Sequence, residues 1–455
     1  MTDQSPPPDK GIQRSAAKRT ARLAALPLGF AGRSALGLGK RLGGKSAESI
    51  ALDIQQRTAE QLFRTLGELK GGAMKFGQAL SVLEAALPEQ WAAPYRDELT
   101  KLQDSAPPMP TQLVREALAR DLGEDWRDQL VWLDGGPSAA ASIGQVHQGR
   151  WHDGRMVAVK VQYPGAGEAL RSDLRQLRRL ARTIAPLIPG IDIRSLIDEL
   201  EQRAADELDY HLEADAQRAF ADAFRDDPHI VVPDVVAVGP TVLVTEWMES
   251  PASLASLIGA GSQEERDHYG ELLVRFLFAG TERTGMLHAD PHPGNFRLLP
   301  TADGRPGRLG VLDYGAVARL PERNLPEAMG TLIRIASHND PETLLAHLHE
   351  GGFVRDGITL DPQLVLDYLS PFVEPTRVER FRFSREWMRG QFNRINNPRD
   401  PSYTVAFKLN LPPAYLLIHR TWVVGIGLLS QLECEAPFRQ ILVESLPGFA
   451  EPLAS

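Results

Sequence analysis

The residues best suited to chemistry lie between His288 and Gly315. Asp290 stands five residues before Asn295, and after seventeen intervening residues Asp313 opens an Asp-Tyr-Gly turn. In phosphoryl-transfer sites one carboxylate orients the acceptor, while an amide oxygen and a second carboxylate hold metal on the nucleotide phosphates. The spacing therefore predicts that Asp290 orients water or an acceptor hydroxyl, and that Asn295 and Asp313 bind Mg²⁺, which prefers hard oxygen ligands.

A zinc site is the alternative for the same segment, because His288 and His292 flank Asp290. Neither a third imidazole nor a thiolate lies close by in the sequence. Zinc sites in proteins usually have four nitrogen, sulfur or carboxylate ligands, or three with an open position. We therefore expect magnesium rather than zinc.

A candidate phosphate-positioning lysine lies upstream, in the segment Met156–Gln162. The segment alternates as a β-strand does, with three valines on one face and Ala158 and Lys160 on the other. A small residue beside a lysine leaves room for an adenine ring and lets the ammonium reach phosphates. An isolated strand lysine would instead point to solvent, so the prediction depends on the downstream motifs.

Lys160 needs a carboxylate partner to hold it in place, and the acidic helix predicted for residues 192–225 offers several. Glu207 and Glu213 lie six residues apart, about 240° around a helix axis, so only one of them can face the lysine. These residues by themselves leave open which of the two carboxylates is the partner of Lys160. A solvated acidic helix face is the alternative.

The nucleotide would also contact the turn that precedes the lysine strand. Three alanines and a serine occupy the position where glycines usually admit phosphates, namely Ala139, Ala140, Ala141 and Ser142. Alanines keep the side chains small but restrict the backbone, which predicts an altered nucleotide pose or preference. Further along, the backbones of Glu246 and Met248 follow an apolar strand and are candidates to receive adenine.

The composition is that of a globular protein of 455 residues, with 43% hydrophobic and 24% charged residues. A net charge of −9 argues against nucleic-acid binding driven by overall charge. Cys434 is the sole cysteine, which excludes disulfides within the chain, indicates a reducing, cytoplasmic environment and predicts a small buried residue.

Positive charge is concentrated near the N-terminus. Residues 10–47 contain nine basic residues and no acidic residue, with leucines interspersed. This pattern fits a segment attracted to an anionic membrane surface, and equally a solvated, flexible leader. No uninterrupted apolar run reaches the roughly eighteen residues of a membrane span. The nearest candidate, Ala414–Leu432, contains His419 and Arg420 and is predicted to be a buried helix.

The order of predicted elements indicates a small mixed lobe followed by a larger helical lobe. Helices are expected before residue 125, with one beginning near Thr111, and β-rich runs follow up to Met248 around a helical insertion. We predict four regions: a basic flexible leader (1–45), a helical extension (46–125), a mixed lobe with a helical insertion (126–248) and a helical lobe (249–455). The β-rich runs are 143–148, 156–162, 230–238 and 241–247, and the insertion is 166–185.

Together these motifs resemble the UbiB/AarF-domain family of atypical protein-kinase-like proteins. The most distinctive match is Lys75-Phe76-Gly77-Gln78, which is similar to the family's Lys-x-Gly-Gln signature. The alanine-rich turn, Glu207-Leu208-Asp209 and the segment from His288 to Asn295 match as well. The resemblance implies an α+β, bilobal protein-kinase-like fold with an N-terminal helical extension packed over the active site.

The same resemblance implies a regulatory cover. Lys75 and Gln78 would lie over the cleft, with Lys75 meeting Glu207 or Asp209 and leaving Glu213 to Lys160. A covered cleft blocks a protein substrate, and the family is associated with ATP binding and ATPase activity in support of ubiquinone biosynthesis near membranes. Tyr314 replaces the family's commoner phenylalanine, and we expect its ring to pack while its hydroxyl requires a partner.

We therefore expect an Mg²⁺-ATP-binding atypical kinase or ATPase that acts on isoprenoid quinone metabolism or lipid handling, peripheral at the inner face of a membrane. Its expected partners are ATP, an anionic membrane surface, and quinone precursors or quinone-biosynthesis proteins. Two alternatives remain open: a true protein or small-molecule kinase, and a nucleotide-gated scaffold with little turnover. The sequence does not indicate the oligomeric state.

Overall fold

The computed structural model describes residues 108–168 except 142, the single positions 171, 175 and 178, and residues 205–320 and 324–450 except 356, 396 and 398. The basic leader, the helical extension up to residue 107, Lys75, Gln78 and Ser142 lie outside the described residues. So does most of the helical insertion, although residues 166–168 begin a helix where one was predicted.

The N-terminal lobe is built on an antiparallel sheet of six strands in the order β1-β3-β4-β7-β6, with β2 paired to β3. The β4 valines are fully buried against helix α1, as their alternation predicted. The elements are α1 (Thr111–Leu122), α2 (Trp126–Gln129), β1 (Leu130–Leu133), β2 (Ala139–Ala141), β3 (Gly144–Trp151), β4 (Met156–Gln162), α3 (Tyr210–Ala223), β6 (Val235–Val238) and β7 (Val242–Glu246).

Two predictions of continuous elements were wrong. The run 230–238 is two strands in different sheets, because Pro233 between them has no N–H to donate to a ladder. Its first part, β5 (Ile230–Val231), pairs in parallel with a strand of the C-terminal lobe. The helix predicted for 192–225 breaks at Leu208–Asp209, and α3 begins only at Tyr210.

The break before α3 has a local cause. The side chain of Asp209 accepts hydrogen bonds from the backbone N–H groups of His211 and Leu212, at 3.0 and 3.4 Å. An aspartate in this N-cap position satisfies donors that have no partner inside the helix and so favours a new start. Glu207 and Glu213 therefore do not share one helix, and the 240° argument does not apply to them.

The C-terminal lobe is mainly helical, as predicted. Helix α5 is its central element, with a capping box between Ser262 and Glu265 and a left-handed Gly285 at its end. The helices are α4 (Leu254–Ala260), α5 (Gln263–Thr284), α6 (Leu325–Ser337), α7 (Pro341–Glu350), α8 (Pro362–Val373), α9 (Arg385–Ile395), α10 (Pro413–Leu432) and α11 (Phe438–Ser445), with short 3₁₀ turns at Pro293–Asn295, Glu374–Thr376 and Pro401–Phe407.

Short strands support the motif loops of this lobe. A four-stranded sheet has the order β5-β11-β10-β8, and two-stranded pairs join β9 to β12 and β13 to β14. The strands are β8 (Ala252–Ser253), β9 (Met286–His288), β10 (Phe296–Leu299), β11 (Arg308–Val311), β12 (Val317–Arg319), β13 (Phe381–Arg382) and β14 (Glu435–Ala436).

Helix α10 matches the apolar run that the sequence singled out as a buried helix. In the part of the chain that the structure describes, no helix has the length and apolar character needed to cross a bilayer. Cys434, just after α10, is buried, as predicted. The architecture is the bilobal α+β, kinase-like one expected from the sequence.

Gly330→Ala is expected to destabilise the C-terminal lobe by about 1–3 kcal/mol, because overpacking forces neighbours apart. A Cβ at Gly330, inside α6, would lie 2.0 Å from the Pro447 carbonyl oxygen and 2.8 Å from the Phe449 nitrogen. Gly390→Ala is the control, since a Cβ there meets no atom within 4 Å in α9. It should stabilise by about 0.5–1 kcal/mol through helix propensity. Urea unfolding measures the change in the free energy of unfolding for both variants. A change of the same sign in both would contradict the prediction.

Candidate active site

Lys160 on β4 and Glu213 on α3 form the centre of the cleft between the lobes. The Lys160 ammonium lies 2.7 Å from Oε1 and 2.9 Å from Oε2 of Glu213, so both carboxylate oxygens accept from it. The two side chains are 18% and 4% exposed. The structure thus brings together the pair that the sequence proposed, and it selects Glu213 rather than Glu207.

Asp313 is the second carboxylate beside the lysine. Its Oδ1 lies 3.6 Å from the Lys160 nitrogen and accepts the backbone N–H of Gly315 at 3.2 Å. The residue has φ of 62°, a conformation that non-glycine residues seldom adopt. Burial opposes the charged form of Lys160, but the carboxylates of Asp313 and Glu213 prevail and raise the pKa of its ammonium well above the usual range. The lysine is therefore a fixed cation.

The predicted catalytic turn is held by its own backbone. The carbonyl of Asp290 accepts the N–H of His292 at 2.7 Å and the side-chain amide of Asn295 at 3.3 Å. The Asn295 carbonyl in turn accepts the N–H of Leu312 at 2.8 Å, directly before Asp313. These bonds bring the Asp290–Asn295 turn and the Asp313 turn together at one end of the β10–β11 hairpin.

His288 also connects the Asp290–Asn295 turn with the Asp313 turn. Its Nε2 lies 3.0 Å from the carbonyl oxygen of Asp313, and β9 pairs His288 with Val317. Since a carbonyl can only accept, Nε2 carries the proton. Burial lowers the pKa of His288, which favours the neutral ring. The imidazole therefore positions Asp313.

Tyr314 packs as expected, but its hydroxyl does not find the expected partner. The ring is buried, with ring centroids 5.1 Å from Phe220 and 5.6 Å from His288. Within the described residues nothing hydrogen-bonds to its hydroxyl. Burial raises the pKa of this hydroxyl well above its usual range, so it stays protonated. An unsatisfied buried donor costs free energy that a phenylalanine would not.

Tyr314→Phe is therefore expected to stabilise the protein by about 1 kcal/mol. Tyr269→Phe is the matched control, because the Tyr269 hydroxyl is also in the core but accepts the N–H of Gly307 at 3.2 Å. Removing that acceptor leaves a donor without its partner and should destabilise by a similar amount. Thermal unfolding of both variants measures the difference, and a destabilised Tyr314→Phe would overturn the assignment.

The donor set fits magnesium bound together with a polyphosphate. Asp313 offers a carboxylate that is 37% exposed. Asn295 uses its amide nitrogen on Asp290, so its carbonyl oxygen is the atom suited to a cation. Among the described residues no group of three or more His, Cys, Asp or Glu side chains is arranged to hold a metal ion. A metal at this site would therefore draw further oxygen ligands from phosphates and water.

The alanine-rich segment is not a loop, which corrects the prediction. Ala139, Ala140 and Ala141 form strand β2, which pairs with the start of β3. β-pairing therefore engages the backbone of the alanines. Val146, which faces Lys160 across the β3–β4 ladder, adds an apolar group to the cleft face.

Two buried polar residues of this hairpin were not recognised from the sequence. Gln145 and His147 are buried on the core face of β3 and hydrogen-bond to each other at 2.7 Å. The Gln145 side-chain oxygen accepts the N–H of Met109 at 2.7 Å, and His147 Nδ1 contacts the Asp134 carbonyl at 3.2 Å. This network ties the hairpin to the chain entering from the helical extension. Two polar residues on an otherwise apolar strand face were the available signal.

The segment predicted to receive adenine crosses between the lobes. The N–H of Glu246 donates to the Asp234 carbonyl at 2.9 Å, and its carboxylate lies 3.0 Å from Arg155. Those two groups are therefore engaged within the N-terminal lobe. Met248 places its side chain against Gly310 of β11. Ala158 lies on the cleft face of β4, beside Lys160 in the pleat.

A family model, described as an ABC1 atypical kinase-like domain, matches residues 101–347. The chain belongs to the ABC1 atypical kinase-like family. Its curated relatives include the mitochondrial atypical kinase COQ8 of Schizosaccharomyces pombe, 30% identical over 66% of this chain and 48% of that protein. Another is mitochondrial atypical kinase COQ8B of Rattus norvegicus, 32% identical over 58% and 48% of the respective chains. The chain thus spans about half the length of these relatives.

A solved structure is also similar. It is the complex of Rv3197 with erythromycin from Mycobacterium tuberculosis, 41% identical, covering 90% of this chain and all of that one, with a TM-score of 0.68. The ABC1 assignment agrees with the resemblance to UbiB and AarF proteins stated from the motifs alone. It also accounts for the kinase-like fold of the two lobes.

The structure describes the acidic motif Glu207-Leu208-Asp209, which the resemblance connects with the cover, but not the cover itself. Glu207 is half-buried before the break, and its charge helps to raise the pKa values of Tyr210 and Glu213, for which burial is the larger cause. Asp209 caps α3. Lys75 and Gln78 lie outside the described residues, so the regulatory roles of all four residues stay predictions.

Proposed function

We propose that this ABC1-family protein is an Mg²⁺-ATP-binding atypical kinase-like ATPase that supports isoprenoid quinone (ubiquinone) biosynthesis or lipid handling. The observation that carries the proposal is the Lys160 ammonium held between Glu213 and Asp313. A cation fixed at the centre of a cleft, with the Asp290–Asn295 turn at the same end, suits the phosphates of a nucleotide.

Each residue has a defined part in this proposal. Lys160 positions the phosphates, Glu213 orients Lys160, and Asp290 orients water or an acceptor hydroxyl. Asn295 and Asp313 hold Mg²⁺, which when bound neutralises charge on the phosphates. The phosphates contact the alanine-rich segment of the sequence, Ala139, Ala140, Ala141 and Ser142. The nucleoside contacts Ala158, the Glu246 carbonyl and the Met248 backbone.

Hydrolysis is favoured over transfer to a protein because no recognisable Ala-Pro-Glu segment follows Gly315 to build a peptide platform. The deciding experiment follows the γ-phosphate of labelled ATP in the wild-type protein. It is run with and without anionic liposomes and with quinone-like phenols. Release as inorganic phosphate supports the ATPase, whereas transfer to an added acceptor at about 1–100 per second supports a kinase. Binding without either supports a scaffold.

The site of action is proposed to be a membrane surface on the cytoplasmic side. The basic segment of residues 10–47 provides the charge for anionic lipid. Co-sedimentation with liposomes containing phosphatidylserine, compared with neutral liposomes at two salt concentrations, tests this part. Binding that is independent of both lipid charge and salt would contradict it.

A second candidate function is binding of a macrolide. The solved relative that covers 90% of this chain at 41% identity was obtained with erythromycin, and that identity exceeds those of the two COQ8 relatives. Calorimetric titration of erythromycin, with and without Mg²⁺-ATP, tests this candidate independently of turnover. Absence of heat at millimolar erythromycin would count against it.

Lys75→Ala is expected to change ATP turnover or nucleotide preference, because the ABC1 resemblance makes Lys75 part of an internal cover. If Lys75 contacts Glu207, Glu207→Gln should change ATP turnover or nucleotide preference in the same direction. Steady-state hydrolysis of ATP and GTP measures both, with Lys70→Ala as a control on the same segment. Kinetics identical to wild type in Lys75→Ala would argue against an autoinhibitory role.

A further inference from the structure

Tyr210, the first residue of α3, faces the Lys160 ammonium with its ring. The Lys160 nitrogen lies 5.3 Å from the ring centroid. A cation over an aromatic ring, within about 6 Å of its centroid, is attracted by the negative face of the ring. Tyr210 is fully buried and belongs to the same core cluster as Leu243, the cross-strand partner of Lys160 on β7. The N-cap Asp209 fixes where α3 begins and so places this ring at the cleft.

The other contacts of the ammonium leave one of its N–H groups for a ligand. A lysine ammonium has three donors. Two of them bond to the carboxylate oxygens of Glu213, at 2.7 and 2.9 Å, whereas Asp313 Oδ1 at 3.6 Å is beyond hydrogen-bond distance. Among the residues that the structure describes, no other acceptor bonds to the ammonium. The Tyr210 ring attracts the charge without supplying an oxygen acceptor, so the third donor is left for a phosphate.

The hydroxyl of Tyr210 does not account for a tyrosine at this position. Within the described residues it has no hydrogen-bond partner. Burial raises the pKa of the hydroxyl, so no phenolate charge is present to attract the lysine. A buried donor without a partner costs free energy. The ring rather than the hydroxyl is therefore the part of Tyr210 that can serve the site.

We propose that Tyr210 is a positioning residue of the cleft, whose ring holds the Lys160 ammonium so that the N–H group not used by Glu213 points at a nucleotide phosphate. The inference rests on the proposed function, because it adds a residue to the same site. The alternative role is purely structural: the ring fills the interface between α3 and the sheet, and an apolar side chain of similar size would serve equally well. The two roles predict different effects on ATP binding.

The first test removes the ring and the hydroxyl separately. Tyr210→Phe keeps the ring, and its dissociation constant for Mg²⁺-ATP should stay within about twofold of the wild type. Tyr210→Leu removes the ring and should weaken ATP binding by about 5- to 30-fold, the value of a lost cation–π contact that is largely desolvated. Phe224→Leu is the matched control. Phe224 is a buried aromatic residue at the other end of α3, with the Arg283 guanidinium 4.6 Å from its ring centroid, and its loss should leave ATP affinity unchanged.

A second test separates the ring's charge distribution from its shape, because leucine at position 210 would also loosen the packing of α3. Phenylalanines that carry increasing numbers of fluorine atoms are incorporated at position 210. Fluorine weakens the negative face of the ring while the ring itself is kept. ATP affinity should fall step by step along this series. In the Lys160→Met background the trend should vanish, because the cation on which the ring acts is absent.

The outcomes distinguish the inference from the proposed function. Equal ATP affinities in Tyr210→Phe and Tyr210→Leu, or a flat fluorine series, would overturn the inference. A fluorine trend that persists in Lys160→Met would overturn it as well, since the ring would then act on another group. If the wild type does not bind Mg²⁺-ATP, the proposed function fails and the inference with it. Thermal unfolding without nucleotide checks that each variant folds, and Tyr210→Met replaces Tyr210→Leu if leucine does not permit folding.

Discussion

Asp290→Asn is expected to lower Mg²⁺-ATP hydrolysis by about 10²- to 10⁴-fold while ATP affinity changes little. The amide is nearly isosteric with the carboxylate but cannot accept a proton from the attacking water or hydroxyl. The turn should persist, because the bonds from His292 and Asn295 go to the backbone carbonyl of Asp290 rather than to its side chain. Single-turnover hydrolysis and equilibrium ATP binding measure the two effects separately.

Asp303→Asn is the control for this experiment. Asp303 lies in the exposed loop between β10 and β11, where its carboxylate interacts with Thr301 and Arg305. The same chemical change there should leave hydrolysis unaltered. If Asp290→Asn hydrolyses ATP at the wild-type rate, Asp290 is not the orienting carboxylate. If its biological effect persists without turnover, the scaffold alternative gains support.

Glu213→Ala is expected to destabilise the protein by about 3–5 kcal/mol, because it leaves the buried Lys160 ammonium without its bidentate partner. Replacing both residues, as in Lys160→Met with Glu213→Leu, should cost much less, since no buried charge then remains unpaired. Urea unfolding of Lys160→Met, Glu213→Leu and their double variant gives the coupling free energy. ATP hydrolysis should be lost in all three, because each lacks a positioned lysine.

Asp215→Ala on the same helix provides the comparison for Glu213. Asp215 pairs with Arg218 at 3.0 Å on the solvent side of α3, with both side chains largely exposed. Exposed pairs of this kind contribute about 0–1 kcal/mol. A cost for Glu213→Ala no greater than that for Asp215→Ala would show that the Lys160–Glu213 contact does not hold the cleft together.

Local pattern and spacing were sufficient for much of the fold. The alternation of β4 predicted which side chains would be buried and which would face the cleft, because side-chain direction in a strand follows directly from position. The apolar run of α10 predicted a buried helix in the same way. The boundary errors occurred where one residue redirected the chain, at Pro233 between β5 and β6 and at Asp209 before α3.

The candidate site was predictable as a set of residues but not as a set of contacts. Order and spacing identified Lys160, Asp290, Asn295 and Asp313, since phosphoryl-transfer chemistry needs those groups in that sequence. The His288 bond to the Asp313 carbonyl had no such signal, and the Gln145–His147 network had only two polar residues on an otherwise apolar strand face. Each joins elements whose separation along the chain says nothing about their distance in space.

The sequence by itself determined the candidate residues for the chemistry and the two-lobed order of elements that presents them, because motif spacing and side-chain periodicity are local properties of the chain. Tertiary packing alone decided that Glu213 rather than Glu207 reaches Lys160 and that the alanines pair as a strand. Such pairings depend on how separate elements are brought together as the core forms. Many arrangements satisfy the same local pattern, and only the packed structure selects one.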